Sequence, residues 1–268
     1  MAPRSLDTTE LTWPEVRDAI AQGYDTIVVA AGSIEQHGPH LPEMTDTLIG
    51  THLVRAIVGR LPNALQGPTI SIGCSEHHMA FAGTVTLRTE TFVAVVRDVA
   101  HALARHGFRT IAFIPSHGGN FAPLAEAMHG LDEDLGGAKA VAFTDLVGFV
   151  GVLNGVSARF DISPEVSGAH AGESETSLDL LLRPDLVRMD HAEAGYVGPF
   201  DQSVSEIIFT RGMPALTANG ILGDARPATA EHGRVYLDAM ADFLARWVEM
   251  ANGIAGSRGR QRGVPAAG

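Results

Sequence analysis

The segment Thr26-Ile-Val-Val-Ala-Ala-Gly-Ser-Ile-Glu-Gln-His-Gly-Pro-His-Leu-Pro-Glu-Met-Thr-Asp-Thr47 changes character at Gly32. Its first six residues form a short, continuous, partly β-branched apolar run that ends at a glycine, the signature of a buried strand. The remainder crowds carboxylates and imidazoles between glycines and prolines, a composition suited to a metal site on a loop. That loop leaves the C-terminal end of a strand, where open α/β sheets place their ligands. Glu35 and His37 are two residues apart, so an extended backbone turns both side chains to one side. Asp46 stands where an apolar-periodic stretch begins (Leu48, Ile49, Leu53, Val54, Ile57, Val58, Leu61), and reads as a helix N-cap or as a metal donor. His40 and Glu43 read as groups serving the loop's own hydrogen bonding.

The pattern around this segment alternates. A helix capped by Thr12 is expected through Gln22, then strand 26–31, helix 46–61 and strand Thr69–Gly73. A second loop, 74–83, leads to a short alternating strand Thr84–Leu87. A long helix opened by Thr89 ends before Gly107, strand Thr110–Ile114 follows, and a helix over 121–135 precedes strand Ala138–Thr144. Repeated strand, loop and helix units imply a mainly parallel sheet with helices on both faces, a three-layer α/β/α sandwich. Residues 145–172 and 190–228 are rich in Gly, Pro, Ser and Asn and read as long functional loops. An amphipathic helix is expected over 229–250. Residues 1–250 read as a single domain and 251–268 as a disordered tail.

Composition narrows the function classes. Of 268 residues, 45% are hydrophobic and 19% charged, the balance of a soluble globular protein. The net charge of -12 disfavours nucleic acid as a partner. No apolar stretch approaches membrane-spanning length, and the polar start Met1–Asp7 lacks a signal-peptide pattern, so a cytoplasmic location and no membrane partner are expected. The lone Cys74 excludes a thiolate-rich zinc site, which leaves oxygen and nitrogen donors. Among twelve histidines, His37, His117 and His170 lie beside glycines that allow tight turns and close ligand approach.

Three loops are alike in kind. The first carries Glu35, His37 and Asp46. The second, Ser116-His-Gly-Gly-Asn120, leaves another strand end with His117. The third, Gly168–Ser177, offers His170, Glu173 and Glu175 where a helix starts. Two divalent ions need about five or six protein donors, one of them a bridging carboxylate. They would acidify a water and polarise a carbonyl, while a histidine passes a proton to the leaving nitrogen. His170 is the candidate for that proton transfer.

The strings GSIEQHGPHLPEMTDT (Gly32–Thr47), SHGGN (Ser116–Asn120) and HAGESETS (His170–Ser177) resemble the creatininase (creatinine amidohydrolase) family, over about Val28 to Gly233. The first string is long and unusual. The resemblance implies a three-layer α/β fold, a two-metal site, hydrolysis of non-peptide C–N bonds and frequent hexameric assembly. Zinc is the first choice of metal, with manganese or iron as alternatives. Carried over by position, Glu35 and His117 would hold one ion, His37 and Glu175 the other, and Asp46 would bridge. His170 would shuttle the proton, with Glu173 close enough in sequence to join the catalytic group. Ser75 and His78, before Phe81-Ala-Gly-Thr84, resemble a segment lining the substrate pocket, to which Gly119 and Asn120 are also assigned.

Two departures bear on substrate. Creatininase proper has a glutamate where this chain has Gly119, and tryptophans over its substrate, whereas Trp13 and Trp247 lie far from these loops in sequence. Gly119 implies a lost donor and a roomier pocket, so the substrate expected is not creatinine. It is an amide, formamide or cyclic amide of a small metabolite or short peptide. The alternatives are ring opening of a cyclic ketone or inosose at the same site, and a non-catalytic metal- or ligand-binding protein.

Overall fold

The computed structural model describes residues 2–253. Among them, four strands form one sheet: β1 (Thr26–Ala31), β2 (Ala64–Gln66), β3 (Thr110–Pro115) and β4 (Lys139–Ala142), in the order β2-β1-β3-β4. All three pairings are parallel, with Thr26 opposite Ala64 and Thr110, and Thr110 opposite Lys139. The helices are α1 (Trp13–Ala21), α2 (Thr45–Val58), α3 (Thr89–Arg105), α4 (Phe121–Met128), α5 (Leu146–Ser157), α6 (Pro164–Ser167), α7 (Glu173–Leu182), α8 (Gln202–Arg211) and α9 (Ala230–Ala251).

The two-residue period of β1 divides its side chains between two cores. Ile27, Val29 and Ala31 pack with Ala19 of α1, Phe92 and Val96 of α3 and Leu124 of α4. Val28 and Ala30 pack with Ile49 and Leu53 of α2, Leu178 of α7, and Tyr236 and Leu244 of α9. Both faces of the sheet are therefore covered, as the uninterrupted apolar run requires. This is the three-layer α/β/α architecture read from the sequence. The chain steps outward from β1 to β2 on one side and from β3 to β4 on the other. The switch point lies between β1 and β3, and their C-terminal ends carry the Glu35 and His117 loops.

Several expectations are corrected. Thr69–Gly73 and Thr84–Leu87 are not strands; each makes a single bridge, Ala31 with Ile70 and Ile34 with Val85. The sheet takes Ala64–Gln66 instead. Gly67 N–H donates to Val28 and Ile70 N–H to Ala30, but Pro68 between them has no N–H and interrupts the ladder. The helix expected over 121–135 stops at Met128; Gly130 adopts φ +70° and a 3₁₀ turn follows. The long loops at 145–172 and 190–228 contain α5, α6 and α8. Glycines and an asparagine in Leu146–Ser157 mask its helical period, and Asp145 caps it by accepting from Gly148 N–H. Asp201 caps α8 likewise, accepting from Ser203 and Val204 N–H. The helix expected over 229–250 runs from Ala230 to Ala251, and of the tail expected over 251–268, residues 254–268 lie outside the described residues. No helix among the described residues is long and apolar enough to cross a membrane.

Candidate metal centre

Glu35 enters the site from the loop after β1, Asp46 from the first turn of α2, and His117 from the turn after β3. All three are buried. Their donor atoms lie within 4.8 Å of one another, as do those of His37, Asp46 and Glu175, so Asp46 belongs to both groups. His117 Nδ1 is 3.2 Å from both Glu35 Oε1 and Asp46 Oδ2. His37 Nε2 is 3.4 Å from Asp46 Oδ1 and 3.7 Å from Glu175 Oε2. Asp46 is not the N-cap that its position allowed; Met44 occupies that place, and the Asp46 carboxylate faces the histidines.

The second nitrogen of each imidazole fixes its tautomer. His117 Nε2–H donates to the Cys74 carbonyl at 3.0 Å, and His37 Nδ1–H donates to the Glu35 carbonyl at 3.0 Å. Both rings therefore turn a bare nitrogen inward, the arrangement that metal-ligating histidines adopt. His170 Nε2–H donates to the Gln36 carbonyl at 2.7 Å, which leaves Nδ1 bare 3.7 Å from Glu35 Oε1. His170 can also complete a donor set with Glu35 and His37.

Three buried atoms here lack hydrogen-bond partners: Glu35 Oε1, His37 Nε2 and Asp46 Oδ2. Each such atom costs about 1–3 kcal/mol, more if charged, so their convergence on one point calls for a cation. Without one, protons take that place. Burial opposes a charge on His37, but Asp46, Glu175 and Glu35 outweigh it and push the ring up to about 10. His117 is likewise raised above the ordinary histidine value, because Glu35 and Asp46 overcome the cost of burial. Burial would raise the Glu35 carboxyl, yet His117 holds it well below the carboxylate range against repulsion from Asp46. Burial pushes Glu175 up to about 7. His170 and His78 are lowered, chiefly by burial, and are neutral.

The remaining sequence candidates separate. His78 lines the cavity beside the cluster, with Nε2 3.4 Å from Glu35 Oε1. Ser75 does not face that cavity; its hydroxyl meets Ser33, which donates to Glu35 Oε2, and lies 3.3 Å from His117 Nε2. Asn120 does not line that cavity either. Its side chain accepts from Cys74 N–H and donates to the Ala31 and Gly32 carbonyls, tying three loops together. Glu173 points away from the cluster, and both its oxygens are engaged by Ser177, His232 and Tyr236. Gly119 lines the outer cavity but leaves no spare volume toward His117. A Cβ there would lie 2.2 Å from the Cys74 carbonyl oxygen and 2.5 Å from His117 Nε2, so that volume is already filled. Gly119→Ala is expected to disturb the His117–Cys74 hydrogen bond and weaken metal binding by roughly 10–100-fold, which a chelator-competition titration would measure.

Sequence reasoning missed Gln36, His77 and α8. Gln36 Nε2 donates to His78 Nδ1 at 2.8 Å and lies 3.2 Å from the Gly220 carbonyl, while the Gln36 backbone carbonyl holds His170. Its position between two candidate ligands was the available signal. His77 lies 4.6 Å, ring to ring, from Phe209 of α8, and burial pushes it down to about 4. Phe200, Ile208, Phe209 and Met213 wall the cavity, and among the described residues no lysine or arginine lines it.

The creatininase model, described as creatinine amidohydrolase, matches residues 9–248. A mycofactocin precursor peptide peptidase of Mycobacterium ulcerans (strain Agy99) is 31% identical, covering 91% of this chain and 89% of its own. A mutant creatininase of zinc–zinc type superposes with TM-score 0.77 at 26% identity, over 92% of this chain and 98% of the other. A manganese creatininase gives TM-score 0.77 at 26% identity, over 92% and 99%. With these matches spanning nearly all of the described residues, the chain belongs to the creatininase family of amidohydrolases.

Proposed function

We propose that this chain is a two-metal amidohydrolase that cleaves an amide C–N bond in a short, peptide-like substrate. One observation carries the reading: two groups of convergent donor atoms share Asp46, and three of the buried atoms in them have no other partner. Glu35, Asp46 and His117 would hold one ion, and His37, Asp46 and Glu175 the other. Three carboxylates against two divalent ions would leave one net positive charge, which a hydroxide could balance. Mixed oxygen and nitrogen donors suit zinc first, then manganese or iron, and the zinc–zinc and manganese forms of creatininase agree with that choice. Bound ions would acidify a water and polarise the scissile carbonyl.

The chain's own residues do the rest. His170 presents its bare Nδ1 to the cluster while the Gln36 carbonyl holds the opposite N–H, so it can accept a proton and return it to the leaving nitrogen. The apolar wall from α8 excludes water and offers no cation to a substrate carboxylate beside the reacting bond. The reaction cavity is small, about 60 Å³, but shares His77, Gly118 and Phe209 with an outer cavity of about 660 Å³. Phe200 and Leu146 connect these to a third, of about 450 Å³. Such a run of space accommodates an extended chain, consistent with the peptidase relative. A peptide bond is therefore included among the C–N bonds this site would cleave, beside the non-peptide bonds expected from the sequence.

Stripping the protein and reloading it with zinc or manganese, followed by metal analysis and amine release from short amides, tests the reading. Two equivalents and metal-dependent amine release are expected. Fewer than two equivalents after reconstitution, or no amine released by the loaded protein, would overturn it.

A further inference from the structure

Glu173 and Glu175 both lie in the first turn of α7, two residues apart, and helical geometry sends them to different sides. Glu175 faces the metal cluster, whereas Glu173 is buried against α9. Its Oε1 accepts from the Ser177 hydroxyl at 2.9 Å and from His232 Nδ1–H at 2.8 Å, and its Oε2 accepts from the Tyr236 hydroxyl at 2.6 Å. Among the described residues no lysine or arginine pairs with it, so its partners are these hydrogen bonds and the N-terminus of α7. A buried carboxylate is an expensive way to join two helices if adhesion is its only task.

We propose that Glu173, His232 and Tyr236 are positioning residues for Glu175, and so set the affinity of the second of the two ions. The inference rests on the two-metal reading. Glu35 and Asp46 have side chains 0% and 2% exposed and come from segments fixed at the ends of the sheet, but the Glu175 side chain is 20% exposed. Its direction depends on the rotation of the first turn of α7. That rotation is fixed from behind. Glu173 is held by α9, Thr229 N–H donates to Ser177, and Gly233 lets α9 approach so closely that a Cβ would meet the Ser177 carbonyl oxygen at 2.0 Å. The Tyr236 hydroxyl also reaches Ser167 Oγ at 3.2 Å, and Ser174 donates to the Ser167 carbonyl. The same clamp thus holds the segment that enters the His170 turn. In that turn Ala171 adopts φ +52°, unusual for a residue with a Cβ, and its N–H donates to Glu175 Oε2 at 2.6 Å. Turn and clamp together aim the carboxylate.

The test is a metal titration of full-length Tyr236→Phe and Glu173→Gln, read by calorimetry and by bound metal after gel filtration. The first ion is expected to bind as in the wild type and the second 10–100-fold more weakly. Saturating metal should restore turnover with KM unchanged, a rescue that a merely structural role would not give. Tyr236→Phe removes a single hydroxyl, so it keeps the test usable where Glu173→Gln fails to fold. Unaltered affinity for both ions, or equal weakening of both, would overturn the positioning role. A wild-type chain that takes up fewer than two ions would instead overturn the two-metal reading itself.

Discussion

Asp46→Asn is expected to remove both metal ions at once and to reduce turnover by about 10⁴-fold or more. Asp46 is the one residue common to the two donor groups; its Oδ1 faces His37 and its Oδ2 faces His117. Asparagine keeps the size but removes the charge, and its N–H₂ can donate to one of the bare imidazole nitrogens, occupying the lone pair an ion would need. Each ion then loses an anionic donor, and the pair loses the group that lets two dications lie close together. Without bound ions nothing would acidify the attacking water, which accounts for the scale of the loss. The fold should survive, because the Asp46 side chain holds no backbone group and its own N-terminal turn is closed by other bonds, such as Thr45 N–H to the Pro42 carbonyl. Metal analysis and amine release on the same sample check the result. Two retained equivalents in Asp46→Asn would contradict the bridging assignment.

The same residue illustrates what a sequence makes legible. Thr26–Ala31 and Thr110–Pro115 are buried on both faces, so their apolar runs are uninterrupted and announce both the strands and the layers around them. The glycine-rich loops after them are legible because each leaves the C-terminal end of a strand, where open α/β sheets place their ligands, with candidate donors beside glycines. What stays hidden depends on contacts between distant segments. Gln36 has its role only because Gly220 and His170 come to it from the far end of the chain. The resemblance favours Glu175 over Glu173 as the ligand, but the physical reason, the helical phase of α7 relative to α9, is not visible in the sequence. Gly119 reads as missing bulk until the Cys74 carbonyl is found in the same volume. The α8 wall is invisible as a helix because its length is short and its surroundings are rich in turn-forming residues, yet Phe209 and Ile208 close the cavity.

His170→Ala tests the division between binding and proton transfer. The ring is buried, neutral and held by the Gln36 carbonyl, with its bare nitrogen 3.7 Å from Glu35 Oε1. That distance suits a group working beside the cluster, although the same nitrogen can join a donor set with Glu35 and His37. The two roles differ in what the variant loses. As a proton carrier, His170 is dispensable for metal, so His170→Ala should retain two equivalents while kcat falls by about 10²–10⁴-fold. The loss should also depend on the leaving group. An alkylamine cannot depart without a proton and suffers the full effect, whereas a nitroanilide, whose amine leaves more readily, recovers much of the rate. As a ligand, His170 would instead carry metal away with it, and the rate loss would be the same for both substrates until excess metal restored it. Comparing an alkylamide with a nitroanilide on metal-analysed protein separates these outcomes, and uniform loss with depleted metal would move His170 from proton transfer into the donor set.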